Sequence, residues 1–252
     1  MSADLFDLTG RKALVTGSSA GLGAHFAQVL ARRGAHVVLA ARRLDKLEEV
    51  SATILASGGG CETCRLDVTD PTSLAAATAA FAGVDIVVNN AGVVSASTAL
   101  DITEGEWDFV VDTNLKGVFM VAQAAARAMR DHERGGSIIN IASILGIRQA
   151  AAVASYAAAK AGVIQLTKAL ALEFARWKIR VNGIAPGYFE TDLNDSFLPS
   201  AAGQAMLKRI PQRRFGSLYE LDGPLLLLAS DAGAYMTGTT IVVDGGHLVS
   251  TL

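Results

Sequence analysis

Cysteine is scarce in this chain of 252 residues: there are two, Cys61 and Cys64. Two thiols cannot form the disulfide framework of a small secreted protein. Their C-x-x-C spacing would suit a redox pair or half a zinc site. No second such pair exists, however, and His25, His36, His132 and His247 are scattered. The pair also opens a strand-like run, not a helix, so both cysteines are expected to be structural and no metal is expected. An excess of one charge is missing too. Against 22 basic side chains stand 24 acidic ones, a formal net charge of −2, without the basic stripe of a nucleic-acid binder. No apolar run is long enough for a membrane. The longest uncharged stretch, Ala13 to Ala31, carries three glycines, two serines, Thr16, Gln28 and His25, a poor span. The opening MSADLFDLTGRK is acidic before it is basic, unlike a secretion signal. A soluble cytoplasmic protein is expected, with no nucleic-acid or membrane partner. No repeat, low-complexity tract or linker divides the chain, so residues 1–252 are expected to form a single domain.

What is present is apolar: 51% hydrophobic against 18% charged residues, enough for a large core. Strand candidates are KALVTG from Lys12, HVVLAA from His36, ETCRLDV from Glu62, DIVVNN from Asp85, SIINIAS from Ser137, IRVNGIAP from Ile179 and TIVVDGG from Thr240. Most are apolar without clean alternation, as in strands covered on both faces. Helix-length segments separate them: 22–33, 44–56, 71–81, 104–131, 156–176 and 220–228. Pro71 after Asp70 suits a capped helix start. The alternation predicts an α/β, doubly wound parallel sheet. The longest irregular stretch, about 188–214, is the expected substrate lid.

The first strand runs into TGSSAGLG, with glycines at Gly17, Gly21 and Gly23 and a helix directly after. Such a turn, with Ser18 and Leu22, lets a pyrophosphate approach the backbone and meet free N–H groups at a positive helix end. The second strand should read the adenosine ribose, where a NAD site carries an acid roughly 20 residues past the glycines. Ala41 stands there, followed by Arg42 and Arg43. An arginine fork can pair with a 2′-phosphate, so NADP(H) is expected through Arg42, with NAD(H) as the other choice.

Several motifs recur in order: TGSSAGLG, DV at Asp67 and Val68, NNAG ending in Asn90, Ala91 and Gly92, Asn114 in DTNLKGVF, Ser143 in NIASILG, YAAAK from Tyr156 to Lys160, and PGYFET from Pro186. Together they cover nearly the whole chain. The chain resembles the classical short-chain dehydrogenases/reductases, and within them bacterial 3-oxoacyl-carrier-protein reductases and gluconate or sugar-alcohol dehydrogenases. The resemblance implies a Rossmann-type sheet of seven parallel strands in the order 3-2-1-4-5-6-7 with helices on both faces. It implies that Asp67 and Val68 contact adenine, that Asn90 and its turn line the ribose, and that Pro186, Gly187, Phe189 and Thr191 border the nicotinamide. It also implies a homotetramer, or a homodimer, built through helices near 104–131 and 156–176.

The chemistry follows from the residues. Hydride transfer to a ketone builds charge on its oxygen, so an acid must donate a proton, and a base must accept one in reverse. Tyrosine, with a pKa of roughly 10, is a weak base until a nearby ammonium stabilises its phenolate. Four apart on a helix, Tyr156 and Lys160 share a face, and Lys160 can also reach ribose hydroxyls. Ser143 would hydrogen-bond the substrate oxygen, and Asn114 would stabilise a water linking Lys160 to solvent. The expected substrate wall comprises Ser95, Leu145, Gln149, Val153 and Tyr188, with Leu193, Phe197 and Met206 from the lid. It is mostly apolar and suits a modest ketone or acyl chain. The expected activity is NADP(H)-linked interconversion of a ketone and a secondary alcohol; the alternatives are an NAD-linked dehydrogenase of a sugar acid or polyol, and a non-catalytic cofactor-binding scaffold. Trp107 and Trp177 read as packing residues, Leu225–Ala229 as buried helix, and RIPQRR from Arg209 as either a solvated lid end or a steering patch for anions.

Overall fold

The strand runs of the sequence hydrogen-bond into one parallel sheet in the order β3-β2-β1-β4-β5-β6-β7. The strands are β1 Lys12–Thr16, β2 His36–Ala41, β3 Gly60–Arg65, β4 Ile86–Asn89, β5 Gly136–Ile141, β6 Ile179–Pro186 and β7 Thr240–Val243. The computed structural model describes residues 4–190 and 199–250. Strand side chains alternate between two cores, one on each side of the sheet. Ala13, Val15, Val37, Leu39, Ile86, Val88 and Ile139 point to one, with Phe26, Leu47, Ile54 and Leu225. Leu14, Val38, Val87 and Ile138 point to the other, with Val121, Met129, Leu170 and Phe174. Both faces are therefore apolar, which is why the strands read as continuous hydrophobic runs.

The helices over the first core are α1 Gly21–Arg32, α2 Leu44–Ala56 and, late in the chain, α9 Asp222–Ala229. The second is covered by α3 Pro71–Ala76, α4 Thr78–Phe81, α6 Gly117–Asp131 and α7 Ala154–Phe174. In α6 the buried residues Val118, Val121, Ala122, Ala125 and Met129 keep the three-to-four spacing of one helical face. Asp70 caps α3 by accepting from the Thr72 amide at 2.8 Å, with Pro71 at the first helical position.

Four boundaries differ from expectation. The segment 71–81 breaks into two short helices at Ala77. The segment 104–131 is interrupted: α5 Glu104–Val111 passes into a π-helical turn, Asp112–Lys116, before α6 begins. A π turn inserts an extra residue into the hydrogen-bond ladder without interrupting apolar spacing visibly. Strand β3 starts at Gly60 and ends at Arg65, so Asp67 and Val68 lie beyond it. The segment 188–214 contains a helix, α8 Ala201–Leu207, capped by Ser200. Leu225–Ala229 is buried helix, Leu227 partly so. Trp177 packs on Phe174 at 6.1 Å between ring centroids, whereas Trp107 is 40% exposed and packs little within one chain.

A polar chain crosses the second core. Asn89 Nδ2 donates to Asn140 Oδ1 at 2.9 Å, and Asn140 Nδ2 donates to Thr167 Oγ1 at 2.9 Å. All three residues are buried; removing the central member leaves Asn89 Nδ2 only its 3.4 Å bond to the Val118 carbonyl and the Thr167 hydroxyl only its 2.8 Å donation to the Val163 carbonyl. Asn140→Ala is expected to cost roughly 2 kcal/mol, seen as a fall in Tm of about 4–8 °C by calorimetry.

Candidate active site

All strands run parallel, so the loops at their carboxyl ends gather along one edge, where such sheets bind ligands. At that edge lies a cleft of about 620 Å³, bordered by the Gly17–Gly23 turn, Arg42, Arg43, Asp67, Val68, Asn90–Val93 and Thr113.

The glycine turn is built for close approach. Gly17 and Gly21 have φ of +65° and +54°, conformations that L side chains rarely adopt. A Cβ on Gly23 would overlap the Gly17 carbonyl and stand 2.5 Å from Asn90 Nδ2. Helix α1 is preceded by Ala20, whose side chain cannot cap it, and its first turn holds no acid. Its leading N–H groups therefore keep their capacity for an anion. Ser18 Oγ is buried without a hydrogen-bond partner, and Leu22 packs against the first core. Asn90 holds the two turns together: its Nδ2 donates to the carbonyls of Thr16 at 3.0 Å and Gly17 at 3.3 Å. Ala91 N donates to Thr16 Oγ1 at 3.1 Å. This cradle, its orphaned hydroxyl and the arginine pair fit a dinucleotide carrying an extra phosphate.

Arg42 and Arg43 are both exposed at the cleft. Arg43 Nη2 donates to Ser19 Oγ at 3.2 Å, closing the gap between the second strand and the glycine turn. Sequence reasoning singled out Arg42 and missed this bridge; a hydroxyl in the glycine turn facing a second arginine was the available signal. Burial would raise the Asp67 carboxyl, but the Thr69 amide and hydroxyl, with the Arg42 charge, hold it below its ordinary value. Val68 is buried and also packs closely on Gly117. Val93 and Thr113 were not anticipated either: the π turn carries Thr113 to the cleft, and its Asn114 holds the Val93 backbone there.

At the other end of the cleft, Ser143 caps the short turn Ile144–Gly146, and its Oγ accepts from the Leu145 amide at 3.1 Å. The Ser143 hydroxyl also acts on the Tyr156 phenol, pulling it down. Gly146 permits this: a Cβ there would come 2.6 Å from the Lys160 carbonyl carbon. The loop carrying Ser143 thus lies directly on α7. Lys160 Nζ donates to the Ile141 carbonyl at 2.7 Å and stands 5.6 Å from the centroid of the Tyr156 ring. Asn114 is fully buried in the π turn. Its Oδ1 accepts from Val93 N at 2.8 Å and its Nδ2 donates to Val93 O at 2.7 Å. A Cβ on Gly92 would stand 3.2 Å from Asn114 Oδ1 and 3.7 Å from Lys160 Nζ, so the three meet.

The electrostatics differ from expectation. Lys160 was expected to lower the Tyr156 phenol. Instead burial pushes the phenol up, the Ser143 hydroxyl lowers it in part, and Tyr188 adds to the rise. Burial also depresses Lys160 to about 8. Both groups are desolvated, and the lysine's charge is directed at a backbone carbonyl. Tyr156 in the chain alone is a protonated acid at neutral pH.

The expected substrate wall is only partly assembled. Leu145, Val153 and Tyr188 are half-buried and Gln149 is exposed. The backbone of Val153 bridges to Ser97. Tyr188 packs its ring on His247 at 5.8 Å. Ser95 Oγ points to Glu106 at 3.4 Å, and Ser97 does the same at 3.1 Å. Met206 is half-buried on α8; Leu193, Phe197 and Thr191 lie outside the described residues. Pro186 ends β6, Gly187 packs on Asp244, and the Phe189 side chain is buried against Gly216. In RIPQRR, Arg214 is held by both oxygens of Glu220 at 2.6 Å, and Arg213 donates to the Lys208 carbonyl. Cys61 and Cys64 are free thiols, and no metal-binding group of three or more His, Cys, Asp or Glu exists among the described residues.

The model of the enoyl-(acyl carrier protein) reductase family matches residues 17–247. The gluconate 5-dehydrogenase of Gluconobacter oxydans is 37% identical over 252 residues, covering 98% of each chain. The 3-oxoacyl-[acyl-carrier-protein] reductase of Escherichia coli is 40% identical over 241 residues, 94% of this chain and 97% of that one. A solved gluconate 5-dehydrogenase from Burkholderia cenocepacia, in complex with NADP and tartrate, superposes with a TM-score of 0.94 at 37% identity over all of both chains.

The buried lysine has a measurable consequence. Its pKa is lower folded than unfolded, so between pH 8 and about 10 the unfolded chain binds the extra proton and wild-type stability rises with pH. Lys160→Met lacks that proton. The stability difference between the two proteins should move toward the wild type by up to about 1.4 kcal/mol per pH unit in that window, measured by denaturant unfolding.

Proposed function

The chain belongs to the short-chain dehydrogenase/reductase family, oxidoreductases of CH–OH and C=O groups, and we propose that it works with NADP(H) through Ser143, Tyr156, Lys160 and Asn114. The observation that carries this reading is the action of Ser143 on Tyr156, one helical turn from a buried Lys160, at the end of a glycine-rich dinucleotide cleft. NADP(H) supplies the hydride, and a positive nicotinamide ring when oxidised. Gly17, Ser18, Gly21, Leu22 and Gly23 hold its pyrophosphate, while Asp67, Val68, Asn90, Ala91 and Gly92 line the adenosine and ribose. Pro186, Gly187 and Phe189 border its nicotinamide. Arg42 takes the 2′-phosphate with help from Arg43 and Ser19. The NADP bound to the Burkholderia relative supports that choice.

In reduction Ser143 orients the carbonyl oxygen, and Tyr156, kept protonated by burial, donates its proton as charge develops there. Lys160 steadies the resulting phenolate and relays a proton. The Asn114 carboxamide has both ends on Val93, so a water beside Lys160 would use main-chain carbonyls of the π turn. Ser95, Leu145, Gln149, Val153 and Tyr188 line the substrate site. A second reading, a dehydrogenase of sugar acids, is supported by the gluconate enzymes among its relatives.

The protein assembles as a homotetramer through α5–α6 and α7, supported by the exposed Trp107, Phe109 and Leu172 on those helices. Free thiols at Cys61 and Cys64 suit the reducing cytoplasm. No helix among the described residues is long and apolar enough to cross a membrane.

Tyr156→Phe should lower kcat by about 10²–10⁴-fold while leaving the NADPH Kd unchanged, measured by stopped-flow turnover and fluorescence titration. Full turnover by this variant would end the reading. The double variant Arg42→Ala, Arg43→Ala should lower kcat/KM for NADPH by about 10–100-fold and change that for NADH little, the loss expected for hydrogen bonds to a charged group.

A further inference from the structure

Arg148 has no part in the chemistry above, yet it stands beside it. It lies in the loop between Ser143 and α7 and is half-buried. Its Nη1 donates to the main-chain carbonyl of His247 and, at 3.5 Å, to Ser250 Oγ. Both acceptors are neutral. No ion pair reaches it among the described residues, and its Nε and Nη2 make no hydrogen bond to any of them. A guanidinium pinned by one nitrogen keeps the rest of its fork for a carboxylate.

The bond of Arg148 to His247, whose ring packs on Tyr188, ties that fork to the expected substrate wall. The charge of Arg148 acts on the Tyr188 phenol and on the His247 ring. Tyr188 packs on His247 and acts on Tyr156 in turn. Arg148 is thus bonded to the residue on which Tyr188 packs, in the loop that begins at Ser143. The local charge is positive, because Arg209 also acts on His247. The opposing carboxylate, Asp244, is bonded by the amides of Gly246 at 2.8 Å and Leu248 at 2.5 Å.

We propose that Arg148 is a specificity-determining residue that takes the carboxylate of an acidic substrate, a hydroxy acid or keto acid whose reacting carbon lies at Tyr156. Bidentate pairing would fix the far end of a short substrate and so its register against the hydride. This rests on the carbonyl-reduction reading and names its substrate class, selecting sugar acids over neutral ketones.

Two measurements test it. The first needs no turnover: the tartrate-induced rise in Tm of the NADP-loaded protein at constant ionic strength, with erythritol as the uncharged control. Tartrate should stabilise the wild type, stabilise Arg148→Lys less, and leave Arg148→Met unmoved, while NADP alone stabilises all three. Should Arg148→Met not fold, Arg148→Lys carries the comparison. The second compares 5-keto-D-gluconate with L-sorbose, which has CH₂OH in place of the carboxylate. Wild type should favour the acid by at least about a hundredfold in kcat/KM, and Arg148→Met should lose most of this through KM while L-sorbose changes less than about threefold. Equal tartrate stabilisation of wild type and both variants, or a wild type indifferent to the carboxylate, overturns the proposal and leaves carbonyl reduction standing. Full turnover by Tyr156→Phe would instead overturn the reading beneath it, and the tartrate shifts would still judge Arg148.

Discussion

A hydrogen bond from a buried ammonium to the end of a strand organises the catalytic half of this protein. Lys160 Nζ meets the Ile141 carbonyl at 2.7 Å and so anchors α7 to the last residue of β5. From that anchor the rest follows by geometry. The loop leaving β5 must pass over α7, which Gly146 allows because it has no side chain. Ser143, at the start of that loop, is brought onto Tyr156, one turn before the lysine. Burying a cation is costly, and the depression of Lys160 to about 8 is the sign of that cost. Stability given up at a working group is a common exchange in enzymes.

The cofactor half depends on backbone more than on side chains. Glycines with positive φ, the uncapped start of α1 and the turn after β4 form a surface of N–H donors that side chains would block. Asn90 binds this surface together by bonding the end of β1. The cations at the end of β2, Arg42 and Arg43, are exposed at this cleft and take no part in the core. The two halves meet at Gly92, beside both Asn114 and Lys160.

Much of the fold was legible because its cause is local. Apolar runs of strand length, separated by helical spacing, determined an α/β sheet, and the glycine turn after the first run determined where a dinucleotide would lie. Tyr156 and Lys160 share a face by helical period alone. The π turn at Asp112–Lys116 was not legible, since its extra residue is accommodated by contacts with Val93 and α7, far away in sequence. Nor was the state of the phenol: the sequence suggested that the lysine would lower it, but burial by surrounding elements raises the phenol and depresses the lysine. The Arg43–Ser19 bridge and the placement of Arg148 beside Tyr188 and His247 likewise join residues that only folding makes neighbours. Sequence by itself thus determined the strands, their order in the chain and the shared helix face of Tyr156 and Lys160, because period and residue chemistry act over a few positions. Tertiary structure alone decided desolvation, charge surroundings and the shape of the substrate end, because those depend on what distant segments bring to the same few ångströms.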